Sequence, residues 1–133
     1  PATANTVASF GTTAGMQGCA GIFPALCIVY IARVSGVPLD FTMYVMSVIV
    51  IALGSLGIAG VPGTATMAAS VSLSGTGMGA FCGSISPILA VDPIVDMGRT
   101  MLNVSGSMTN AIVVDRLQGT FDQEAFNNTK TIR

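Results

Sequence analysis

The sequence predicts an all-α integral membrane protein made of a broken transmembrane helix, a re-entrant helical hairpin and a polar-striped final helix. Three observations carry that prediction. Of 133 residues, 51% are hydrophobic and 8% charged, where a soluble domain carries roughly a quarter charged, and the mean hydropathy is +0.75. No charge stands before Arg33 or between Asp40 and Asp92; the second gap has room for two crossings, or one crossing and a folded-back segment, at roughly 20 residues each. Glycine-rich breaks interrupt the apolar runs at two places, GMQG at residues 15–18 and GVPG at residues 60–63, where a plain lipid-facing helix would not place them.

Composition also excludes. Five basic and six acidic residues give a net charge of -1, so there is no cationic excess for phosphates and no nucleic-acid partner is expected. Cys19, Cys27 and Cys82 lie in apolar surroundings without the paired spacing of zinc or iron–sulfur sites, and read as small buried hydrophobes. With no histidine and no nucleophile–base arrangement, an enzyme is not expected. The chain opens at Pro1 without an initiator Met or a basic n-region, which predicts the C-terminal part of a longer protein rather than a signal peptide.

Residues 1–33 read as the broken helix: a small, weakly apolar stretch, the GMQG interruption, then an apolar helix from Cys19 to Arg33. Its Pro24 needs a neighbour to satisfy the carbonyl it frees. Residues 34–40, VSGVPLD, carry a turn signature and read as a loop. Residues 41–79 read as the re-entrant hairpin and its link. An apolar run is broken around Pro62, and the stretch after it is too rich in Ser, Thr and Gly to face lipid. The segment is therefore expected to enter, turn and leave by the same side, surrounded by protein or a water-filled cavity.

Residues 80–117 read as the final helix. Pro87 and Pro93 predict a kinked start, with the regular helix beginning near Pro93 and capped by Asp92. Within it Asp92, Asp96, Arg99, Asn103 and Ser107 are spaced by 4, 3, 4 and 4, which sets all five on one stripe. A charge at membrane depth is costly and marks a functional site by default. Asp96 and Arg99 as a purely structural pair is the plain alternative, yet two acids, one base, Thr100 and Asn103 exceed what one bridge consumes. An amino acid needs an acceptor for its ammonium and donors for its carboxylate, and Asp96, Arg99, Asn103 and the hairpin tip supply both. Residues 118–133 read as a polar cytoplasmic tail.

AVDPIVDMGRTMLNVSG at residues 90–106, GIAGVPGTATMAA at residues 57–69 and GTTAGMQGCAG at residues 11–21 resemble, in order, three motifs of the dicarboxylate/amino acid:cation symporter family, the glutamate-transporter fold. The SFGTTAGMQGCAGIFPAL and NVSGSMTNA runs look closer to its bacterial L-cystine uptake transporters than to its glutamate or aspartate carriers. The resemblance implies cation-coupled symport of L-cystine by alternating access, with a glutamate, aspartate or C4-dicarboxylate symporter coupled to sodium or protons as the alternative. It implies substrate contacts at Met16, Cys19, Gly60, Val61, Pro62, Gly63, Asp96, Arg99, Thr100 and Asn103. Asp96 would take the ammonium, Arg99 a distal carboxylate or other distal polar group, Thr100 and Asn103 the amino acid end, and residues 60–63 would form the lid.

Sodium sites are implied at Gly11, Thr13, Gly15, Met16, Gln17, Asn103 and Ser107. Two of those places are carboxylates in sodium-coupled glutamate-type members, whereas this chain has neutral Gln17 and Ser107, and Gly15 replaces an asparagine. A neutral set lacks the charge that offsets ion dehydration, so coupling by fewer sodium ions, by protons through Asp96 or Asp92, or by some other gradient stays open. No cofactor beyond a coupling Na+ or H+ is implied. The resemblance further implies a multi-pass protein of the bacterial inner membrane, in contact with the lipid bilayer. Its scaffold and first hairpin, and the homotrimer made through that scaffold, belong to the full-length chain.

Overall fold

The computed structural model describes residues 2–58, 60–61 and 63–127. Among them the chain is helical throughout, with no strand. Helix α1 spans Ala2–Ala14, and a π-helical turn, Gln17–Ile22, runs directly into α2, Phe23–Ser35. Helices α3, Phe41–Leu56, and α4, Thr64–Gly75, follow; a 3₁₀ segment, Gly79–Ile85, leads into α5, Ser86–Leu117, and α6 is one short turn at Gln123–Asn127.

The break between α1 and α2 has a local cause. Met16 stands at φ -96° and ψ 49°, outside helical geometry, and Gly15 is wedged so tightly that a Cβ would lie 2.7 Å from the Gly11 carbonyl oxygen and 2.9 Å from Ser107 Oγ. The wider π register then sends the Phe23 N–H to the Gly18 carbonyl. Pro24 consequently falls in the first turn of α2, where its missing N–H costs little. Gly36, at φ 69°, ends α2 in the left-handed region, and the Val37 N–H returns to the Ala32 carbonyl at 2.9 Å.

Helices α3 and α4 pair antiparallel: a Cβ on Gly54 would touch Val71 at 3.4 Å, and one on Gly75 would meet Val50 at 2.5 Å. Between them the turn tightens on Thr64, whose hydroxyl accepts the Val61 N–H at 3.0 Å and donates to the Val61 carbonyl. The core lies where α2 crosses α4. Cys27, Ile31, Ala69 and Leu73 are fully buried, and the small Ala65 and Ala69 let the two backbones approach. A smaller cluster of Met16, Ala20, Ile58 and Ala68 sits beneath the break.

Helix α5 departs from the expected start. It is regular from Ser86, with Pro87 in its first turn and Pro93 inside it, so Asp92 is an interior residue and not a cap. A proline in the first turn needs no donor, and one further along is tolerated in an apolar helix when its surroundings absorb the freed carbonyl. Two helical runs, Thr3–Ser35 and Gly79–Leu117, are long and apolar enough to cross a bilayer, while α3 is a shorter apolar helix. Beyond α5, the Asp122 carboxylate accepts the Ala125 N–H at 2.9 Å and starts α6. Lys130 and Arg133 of the expected tail lie outside the described residues.

Candidate functional site

The stripe on α5 faces the π-helical turn. Gly18 makes this approach possible, since a Cβ there would lie 2.9 Å from the Arg99 carbonyl oxygen and 3.1 Å from Asn103 Oδ1. Asn103 fastens the junction at both ends of its amide: Oδ1 accepts the Gly18 N–H at 2.8 Å, and Nδ2 donates to Cys19 Sγ at 3.1 Å. Cys19 in turn donates to Asp96 Oδ1 at 3.6 Å. The thiol, which composition reads as a small buried hydrophobe and the resemblance as a substrate contact, thus links the ammonium-acceptor candidate to the amide.

Arg99 is buried to 7% exposure, the one buried residue of α5 among those described. Its Nη2 reaches Asp92 Oδ1 at 2.6 Å and Asp96 Oδ1 at 2.9 Å, and its guanidinium lies 4.1 Å over the Phe23 ring. A stacked, desolvated contact of that kind contributes about 2 kcal/mol. Nε and Nη1 have no hydrogen-bond partner among the described residues. The pair to Asp92 is the more enclosed, with 20% of that side chain exposed against 47% of Asp96. Two carboxylates against one guanidinium leave the triad one negative charge in excess.

Above the triad lies a cavity of about 580 Å³. Met16, Cys19, Gly60, Val61, Gly63, Asp96, Thr100 and Asn103, all singled out from the sequence, form its wall together with Gly11 and Ser107. Pro62, also singled out, lies outside the described residues. Arg99, Thr13, Gly15 and Gln17 are not in the wall among the described residues: Arg99 stands behind the two aspartates, and Gln17 is turned onto α5, its Nε2 donating to the Leu102 carbonyl at 3.0 Å. The hairpin tip seats on α1 through Gly60, where a Cβ would lie 2.6 Å from the Thr12 carbonyl oxygen and 3.3 Å from Met16 Sδ.

Several wall residues escaped the sequence reading. Val104 and Met108 extend the four-residue step from Thr100 along α5, so prolonging the stripe through apolar residues would have found them. Thr12 and Thr64 also line the cavity, and no pattern in the sequence marks them. Nor does one mark Phe23 under Arg99. A second cavity of about 500 Å³ opens between α1 and the C-terminal half of α5, sharing Gly11 and Ser107 with the first.

As cation ligands the candidates fit unevenly. Gly11 and Gly15 both abut Ser107 Oγ, which brings neutral oxygens together at the α1–α5 crossing. Asn103 Oδ1 already accepts the Gly18 N–H, and Gln17 offers α5 its nitrogen, which cannot ligate a cation. No group of three His, Cys, Asp or Glu that could hold a metal ion occurs among the described residues.

The chain is similar in sequence to known proteins. The L-cystine uptake protein TcyP of Bacillus thuringiensis (strain Al Hakam) is 42% identical over 129 residues, 96% of this chain and 27% of the relative. TcyP of Shouchella clausii (strain KSM-K16) is 42% identical over 126 residues, 94% of this chain and 27% of its own. An uncharacterized symporter of Haemophilus influenzae is 44% identical over 115 residues, 86% of this chain and 26% of the relative. The chain spans about a quarter of the length of these relatives. No solved structure matches it. The model of the sodium:dicarboxylate symporter family matches residues 1–117, and the chain belongs to that family.

Proposed function

We propose that these residues form the substrate-binding part of a secondary transporter that takes up L-cystine with a coupling cation, by alternating access. The observation that carries the reading is the cavity between the hairpin tip and α5, walled by Gly60, Val61, Gly63, Asp96, Thr100 and Asn103. Its floor holds one uncompensated negative charge, which suits an ammonium group. Cystine has an amino acid at each end. One ammonium would meet Asp96, while Thr100 and the Asn103 amide hold the adjoining carboxylate. Arg99, which stands behind the two aspartates, would meet the far carboxylate only by swinging its guanidinium out between them. The curated names of the relatives favour the same substrate.

In this reading residues 1–117 are the C-terminal part of a transport domain and residues 118–133 a cytoplasmic tail. α3 and α4 form a re-entrant hairpin whose tip opens and closes the cavity, while the broken helix and α5 move with it as one carrying unit. The exposed apolar side chains of α5, Ile94, Met97 and Met101 among them, meet lipid or the rest of the full-length chain. The whole protein would be a multi-pass homotrimer of the bacterial inner membrane. The family name points to sodium as coupling ion, and a proton is the other candidate. Coupling requires only that ion binding favour tip closure when substrate is present.

The test is initial uptake of labelled L-cystine by the full-length transporter in proteoliposomes, with excess unlabelled L-glutamate. Saturable uptake that glutamate does not suppress is expected. No uptake, or strong suppression, would transfer the site to acidic amino acid or C4-dicarboxylate carriage.

A further inference from the structure

We infer that the Gln17 side chain is a clasp and not a cation ligand: its amide nitrogen ties the π-helical turn to the Leu102 carbonyl of α5. The inference concerns a positioning residue and rests, for its transport readout, on the reading of the cavity as the L-cystine site.

Three observations converge on it. The Gln17 Nε2 to Leu102 carbonyl distance is 3.0 Å, and a carbonyl oxygen only accepts, so the amide must face α5 with its NH2 group. Ligation of a hard cation by a glutamine uses the amide oxygen, which is then the atom turned away from that carbonyl. Gly106, one turn beyond Leu102, is shaped to the same group: a Cβ there would overlap Gln17 Nε2. The amide, exposed on its outer side, thus lies against the backbone of α5. The next residue in the turn repeats the contact, since the Gly18 N–H donates to Asn103 Oδ1 at 2.8 Å.

The consequence reaches the substrate cavity. Gln17 and Gly18 hold the turn on α5 side by side, and the Cys19 that follows receives the Asn103 amide at 3.1 Å and donates to Asp96 at 3.6 Å. Loss of the Gln17 bond would free the turn to shift, and with it the thiol and amide that set the wall around the ammonium site. One neutral hydrogen bond holds the two elements together here, without the much larger cost of desolvating a charge.

The test uses the purified full-length transporter. In a double-mutant cycle read by melting temperature, Gly106→Ala, which gains helix propensity, should raise the midpoint clearly less beside Gln17, whose Nε2 it displaces, than in a Gln17→Ala background. Equal changes in both backgrounds would overturn the clasp. In proteoliposomes Gln17→Met should raise the KM for L-cystine about tenfold with kcat within about twofold, and leave the half-saturating Na+ concentration, or a flat Na+ response, as in the parent. An unchanged KM, or a Na+ requirement shifted several-fold, would instead make Gln17 dispensable or a cation ligand. Absence of L-cystine uptake by the parent would refute the substrate reading alone, since the melting cycle still decides the clasp.

Discussion

At the scale of single residues, Arg99 is governed by three partners from two helices. Asp92 and Asp96 hold its Nη2, and Phe23 covers one face. Arg99→Ala would leave Asp92, with only 20% of its side chain exposed, facing Asp96 with no cation between them. Breaking an enclosed pair in this way costs about 3 kcal/mol, so thermal unfolding of the full-length protein should shift down by several degrees. The same variant should harm transport of L-cystine more than that of a small neutral amino acid; equal losses would make Arg99 purely structural. The sequence announces Arg99 and both aspartates by spacing alone, because helical periodicity is local. It does not announce Phe23, which lies in another helix and meets the guanidinium only through the tertiary fold. For the same reason the Cys19 bridge from Asn103 to Asp96 was invisible: an isolated thiol in an apolar run looks like any buried hydrophobe.

At the scale of elements, the hairpin tip depends on two glycines for different reasons. Gly63 stands at φ 88°, a conformation that a β-branched residue adopts only at a strain of about 1–3 kcal/mol. Gly63→Val should therefore slow both substrate dissociation and uptake, read by release of labelled L-cystine from the full-length protein; unchanged rates would remove the lid role from the tip. Gly60 has no such backbone demand here but sits against α1, with a Cβ destined 2.6 Å from the Thr12 carbonyl oxygen. Gly60→Ala should prevent the tip from seating and weaken L-cystine binding at least about tenfold, measured at equilibrium; an affinity within about twofold of the parent would contradict that contact. Both glycine breaks were legible because Gly and Pro punctuate any apolar run. At the start of α5 the same logic fails: Pro93 reads as a boundary, yet α5 carries it in its interior. The π-helical register of Gln17–Ile22 left no mark, since it arises from how the turn packs on α5 through Gly18.

At the scale of the whole molecule, α5 buries Arg99 alone among its described residues while Ile94 and Met97 are 76% and 75% exposed. Surfaces of that kind imply lipid or further protein around it. A lysine at Met97 should cost about 3 kcal/mol on insertion and reduce the folded full-length protein recovered from membranes. At Leu117, the last residue of α5, a lysine reaches the interface and should be tolerated; equal recovery of the two variants would argue against an apolar environment at mid-helix. The class of the molecule was readable from charge scarcity, and the broken helix, the hairpin and the polar helix from motif order. Their convergence on one cavity was not, because it depends on contacts such as Asn103 to Gly18 and Gly60 to Thr12 across distant parts of the chain. The central claim is that this cavity holds an amino acid by its ammonium at Asp96. Its most direct test is equilibrium binding of labelled L-cystine to purified full-length protein and to Asp96→Asn, with melting temperature as a check on folding. Binding weakened at least about a hundredfold in a variant that still melts cooperatively is the predicted result, and an affinity within about twofold of the parent would contradict the account.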